Sequence, residues 1–240
     1  MKLKVERFLQ DPACCAVAAS SSIANFYNKD IVYDLAKNVA EDIIGDEVID
    51  GLYTGEIGQL LNFLGFKEVK IISSDINYLD YSLNKMKNKK LIENLKTGLR
   101  TNKNYKENIK SMMKFLGNEE YTNEVVVDYH FGKYIRENIK KGIPLLLTFN
   151  WTLFFGLPKY NDKGIIDANR GDYEEHAVVV NGFDEKGVFI VDSQKRSYTG
   201  KLKKYRDGYY HVLWEDILPT TTFSDLIIPK KYSKNMIKYQ

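Results

Sequence analysis

The spacing of apolar positions changes near the middle of the chain, and the change predicts two kinds of architecture. From Ala16 to Tyr27 the sequence is rich in alanine and serine, lacks glycine and proline, and sets Val17, Ser20, Ala24 and Tyr27 near helical spacing. This predicts a largely buried helix whose small residues allow close packing, entered through Asp11 and Pro12. A second helix is expected over Asp30–Ile44, and a third over Gly55–Leu64 with Gly65 as its terminating glycine. Lys67–Ile72 is a short strand candidate. Asn77–Leu116 reads as polar and mostly helical, two helices broken near Gly98–Asn104. Phe131–Lys141 reads as a further helix, stopped by Gly142 and Pro144.

Beyond Lys141 the pattern turns to strands. Leu145–Phe149 is a continuous apolar run, and Ala177–Asn181 and Val188–Asp192 flank Gly-Phe-Asp-Glu-Lys-Gly as the arms of an antiparallel hairpin. Tyr209–Trp214 and Asp225–Ile228 add strand candidates. The expected fold is α+β in a single domain over residues 1–240. It has a mainly helical lobe (1–141), a mainly antiparallel sheet lobe (142–240), and a cleft between them.

Composition narrows the class. Apolar residues make up 44% of the 240 and charged residues 28%, the balance of a globular protein. No apolar run approaches the roughly 20 residues that span a bilayer, and the first residues lack the apolar core of a signal peptide. The two cysteines, Cys14 and Cys15, are neighbours. Their Cα atoms are too close for a normal disulfide, so a reduced, cytoplasmic protein with an unpaired thiol is expected. The net charge is +3, yet ten Lys or Arg residues fall between Lys85 and Lys114 against Glu93 and Glu107 alone. A solvated helical surface accounts for that run, and no nucleic-acid motif accompanies it. No spacing of cysteine and histidine suits zinc, so neither a metal nor a cofactor is expected.

The thiols carry the candidate chemistry. A cysteine in the first turn of a helix feels unsatisfied backbone N–H groups that favour thiolate, and a nearby imidazolium favours it further. Of His130, His176 and His211, only His176 stands at the start of a strand that a hairpin returns to, and Asp192 ends the returning strand sixteen residues later. On one face of the hairpin the carboxylate can fix the imidazole's orientation and tautomer. An even number of loop residues needs a bulge to bring that about, so the register is a test.

Cys15 with its small-residue helix ending in Phe26-Tyr27, followed by His-Ala-Val-Val-Val-Asn-Gly-Phe-Asp and Val-Phe-Ile-Val-Asp, resembles the papain-like cysteine peptidases. It is most similar to their small bacterial branch, the double-glycine (bacteriocin leader) peptidases. Gly65-Phe66 and Gly-Ile-Pro-Leu-Leu-Leu stand in the family's order. The resemblance implies Cys15 as nucleophile, His176 as general base and acid, Asp192 as orienting residue, and Gln10 as oxyanion donor. Gln10 precedes Cys15 by five positions where the family usually has six, and Ala16 stands where it usually has glycine. Measured back from Phe26-Tyr27, Cys15 fits the nucleophile position and Cys14 falls one short. Trp151 and Asn150 are candidate substrate-binding residues walling the cleft, with a core tryptophan as the ordinary alternative. The implied activity is cleavage of a peptide or amide bond in a peptide or protein substrate. An acyltransferase and a catalytically silent binding module stay open beside it.

Overall fold

The protein is described by a computed structural model covering residues 1–45, 48, 50–161, 163–194 and 207–236. Its helices are α1 (Cys15–Tyr27), α2 (Tyr33–Ile44), α3 (Thr54–Phe63), α4 (Asn88–Thr101), α5 (Lys106–Gly117), α6 (Phe131–Ile139) and the short α7 (Trp151–Phe155) and α8 (Trp214–Ile217). Its strands are β1 (Phe66–Ser73), β2 (Thr122–Val127), β3 (Leu145–Asn150), β4 (Glu175–Phe183), β5 (Gly187–Val191), β6 (Tyr209–Leu213) and β7 (Asp225–Tyr232). The strands form one seven-stranded sheet in the order β2-β1-β7-β3-β4-β5-β6. The β1–β2 pair is parallel and the rest are antiparallel.

This mixed α+β architecture differs from the expected segregation in one respect. The helical half contributes β1 and β2 to the same sheet as the later strands, because β7 lies between β1 and β3 and ties the halves together. Alternating strand residues feed two cores. On one face Val69, Leu146, Val179 and Ile227 pack with α1 to α5; on the other Leu147, Val178, Ile190 and Leu226 pack with α6, α7 and α8. Helix α1 is buried along its length by alanine and serine, and it rests on β4. Gly65 follows α3 with φ +110°, a conformation that favours glycine. Helix α2 starts three residues later than Asp30, since Val32 is extended and Ile31 turns into the core.

The β4–β5 hairpin carries the test set by its sequence. Near the turn Gly182 faces Phe189 and Phe183 faces Val188, whereas further along Val180 faces Ile190 and Val179 faces Val191. Asn181 is therefore an extra residue, a β-bulge. Continuing the shifted register places His176 and Asp192 on the face that also carries Val180, Ile190 and Tyr210. Without the bulge, the same turn would send the two side chains to opposite faces.

Candidate active site

The two adjacent cysteines occupy different environments. Cys14 precedes α1, is buried, and turns its sulfur to the Val48 carbonyl oxygen (3.8 Å) and the Tyr33 hydroxyl. Burial pushes its thiol above the ordinary value. Cys15 opens α1, where the first-turn N–H groups have no intrahelical acceptor. Burial would raise its thiol too, but that is outweighed. The hydrogen bond and charge of His176, then the backbone N–H groups of Ala177 and Ala16, hold it below the ordinary value.

His176 Nε2 lies 2.8 Å from Asp192 Oδ1, which leaves Nδ1 as the ring nitrogen for Cys15. Asp192 is only 1% exposed, and it also accepts from the Gln194 backbone N–H (2.9 Å) and the Tyr210 hydroxyl (2.8 Å). Burial disfavours this carboxylate, but the charge and hydrogen bond of His176 hold it below the usual range. Burial likewise opposes the imidazolium, but the Asp192 charge and hydrogen bonds from both sides push His176 up to about 10. The thiol, imidazole and carboxylate thus form a chain whose charged state is internally compensated.

Gln10 is positioned from the other side. Residues 1–10 run along the hairpin: Leu3 N–H donates to the Asn181 carbonyl (2.7 Å), and Asn181 Nδ2 donates back to the Leu3 carbonyl (2.8 Å). Arg7 Nε and Nη2 donate to the carbonyls of Asp192 (2.5 Å) and Gln194 (2.7 Å). The Gln10 N–H donates to the Ser193 carbonyl at 3.0 Å, and the Ser193 hydroxyl donates to Gln10 Oε1 at 2.7 Å. With its oxygen occupied, the amide has its Nε2 donor left for a ligand. The short connection to Cys15 is made with Ala13 in the left-handed region, φ +58°.

A model of the Peptidase_C39 like family matches residues 2–220, which includes all of these positions. The chain belongs to that family. No curated protein matches the chain. Among solved structures, a "putative C39-like peptidase" from Bacillus anthracis is similar at 12% identity, with 97% of this chain and 100% of that one covered and a TM-score of 0.48.

In this C39-like chain a cavity of about 1060 Å³ opens over the site, lined by Gln10, Cys15, Ala16 and His176 and by residues of α3, α5 and the segment before β4. The basic stretch predicted as surface borders it, since Glu107, Asn108 and Lys110 of α5 lie in its wall. Trp151 and Asn150, expected as substrate-binding residues, lie outside that lining. Trp151 is buried with its ring 4.4 Å from the His176 ring, and the Asn150 side chain accepts the Leu153 N–H to start α7 (2.8 Å). His130 is exposed beside Asp128, and His211 pairs with Asp184 on the far part of the hairpin. Among the described residues no group of three or more His, Cys, Asp or Glu is placed to hold a metal ion, and no helix is long and apolar enough to cross a membrane.

Sequence reasoning missed Arg7, Ser193 and Tyr210. Ser193 had a usable signal, its place immediately after the orienting aspartate. Arg7 and Tyr210 carried none.

Proposed function

We propose that this chain is a cysteine peptidase with a papain-like, two-lobed arrangement, cleaving a peptide or amide bond through a Cys15 thioester. The observation that carries the proposal is the chain from the Cys15 sulfur through His176 to Asp192, opening into a cavity beside Gln10. In this mechanism the Cys15 thiolate adds to the substrate carbonyl carbon. The oxyanion takes hydrogen bonds from Gln10 Nε2 and the Cys15 backbone N–H. The imidazolium of His176 gives its proton to the departing amine as the C–N bond breaks. Neutral His176 then accepts a proton from water, whose oxygen attacks the thioester, and the carboxylic acid leaves as the thiolate returns. Asp192 keeps the imidazole oriented throughout. The unpaired thiols fit a reducing, cytoplasmic setting.

The test is the reactivity of Cys15 toward a neutral peptide vinyl sulfone at pH 7, followed by intact mass and peptide mapping. Labelling is expected about a hundredfold or more faster than a free thiol, and His176→Ala should remove that advantage. Labelling at the free-thiol rate in both proteins overturns the proposal. A peptide acyl-enzyme that persists in water and turns over only with an added amine would replace hydrolysis by acyl transfer.

A further inference from the structure

Among the described residues, the lining of the candidate catalytic cavity is acidic although the chain as a whole has a net charge of +3. Asp50, Glu56, Glu107, Glu174 and Glu175 line it, Lys110 is the one Lys or Arg among the described lining residues, and Lys110 Nζ is bound to Glu107 at 2.8 Å. Behind the lining residues Thr54 and Thr148 stands Asp225, only 6% exposed. Its Oδ2 accepts the Thr54 hydroxyl, and its backbone N–H donates to Thr148 Oγ1 at 2.8 Å. Its Oδ1 sits beside the Ser73 hydroxyl without closing a hydrogen bond of normal geometry.

Asp225 and Asp75 both act electrostatically on Glu175, and Asp75 acts on Asp225; among the described residues no lysine, arginine or histidine acts on the three. Buried carboxylates are ordinarily paired with a cation. Desolvation and the two neighbouring carboxylates raise Glu175, which is exposed at the start of β4, and a cationic ligand beside it would oppose that shift. Tyr78 and Tyr105, stacked at 5.9 Å, and Tyr173 lie within electrostatic reach of Asp75 and Glu175. Carboxylates beside tyrosine rings suit an ammonium or guanidinium group. Glu175 immediately precedes His176 on β4, which puts this receptor next to the attacked bond.

We propose that the substrate carries a lysine or arginine side chain close to the bond that Cys15 attacks, and that Glu175, with Asp225 and Asp75 behind it, receives that charge. The inference rests on the cavity being a peptidase site, and it names the substrate class of that site.

Acetylated peptide vinyl sulfones that differ only in carrying Lys, norleucine or Glu at the first or second residue from the reactive group provide the test. The measurement is the labelling rate of Cys15 in the full chain. The Lys probe is expected to label about tenfold faster than the norleucine probe, and the Glu probe more slowly still. The Lys-to-norleucine ratio should fall toward one in Glu175→Gln and in Asp225→Asn. Should neither variant fold, the Lys-to-Glu ratio in the unaltered protein is expected to shrink between about 20 mM and about 0.5 M NaCl. Fast labelling that is indifferent to charge overturns the cation receptor and leaves the peptidase proposal standing. Labelling no faster than a free thiol with every probe overturns both.

Discussion

At the scale of single residues, the neighbouring thiols show how position decides chemistry. Cys14 is raised by burial; Cys15, one residue on, is lowered because His176 and two backbone N–H groups oppose its burial. The sign of the pH dependence follows. Thiolate forms as pH rises through the lowered Cys15 value, and the imidazolium proton is lost as pH passes the His176 value of about 10. Alkylation of Cys15 by iodoacetamide should therefore have its midpoint at lower pH than an ordinary thiol, whereas peptide turnover should decline again near pH 10. In His176→Ala the alkylation inflection should move upward, because burial is then less opposed. Ser193→Ala tests the Gln10 amide. Losing a hydrogen bond worth about 1 kcal/mol should lower kcat/KM several-fold, with Cys15 alkylation, which develops no oxyanion, staying within about twofold. Cys15, His176, Asp192 and Gln10 were legible in the sequence as a set that the structure brings together. Arg7 was not, because its partner Asp192 lies 185 residues away and loop geometry alone joins them, and Ser193 offered only its place after Asp192.

At the scale of elements, α1, α3 and the hairpin follow the pattern of the chain closely. Strand β2 was missed: Thr-Asn-Glu-Val-Val-Val is short and follows a polar helical stretch, and its parallel pairing with β1 is set by tertiary contact. The bulge was legible only as a condition, that an even turn needs one, and Asn181 meets it. Gly208, which precedes β6, is a second local requirement. It has φ +70°, and a Cβ there would lie 2.6 Å from the Asp192 carbonyl and against the Arg7 guanidinium. Gly208→Ala should cost roughly 2 kcal/mol, seen as a fall in Tm of about 4–8 °C, with weakened Cys15 labelling as the Asp192 segment shifts.

At the scale of the molecule, the sequence predicted two lobes and the structure shows one sheet running through both halves, with β7 as the link. Hydrophobic patterning identifies strands but not which distant strand each will pair with, so a strand from the end of the chain inserted between β1 and β3 was out of its reach. The first ten residues work at this scale too. They follow the hairpin from its bulge to the site and hold the segment after β5 through Arg7. Arg7→Ala should speed hydrogen exchange at Asp192 and Gln194 and reduce turnover. Arg7→Lys should restore little, since one ammonium cannot replace a planar group that serves two carbonyls.

The divergence of the two cysteines also governs how the protein meets an oxidant. A thiolate attacks the O–O bond of a peroxide and releases water after protonation, so Cys15, with the lowered value, is the sulfur expected to become a sulfenic acid. In many redox-tolerant sites a second thiol captures that species as a disulfide and protects it. Cys14 is adjacent in sequence, but its Cα is only about 3.8 Å away, short of disulfide geometry, and its sulfur faces Val48 and Tyr33. Rescue of an oxidised Cys15 is expected to fall to small thiols that can enter the cavity, and where they are scarce, mass spectrometry after peroxide treatment should find the sulfinic acid at Cys15.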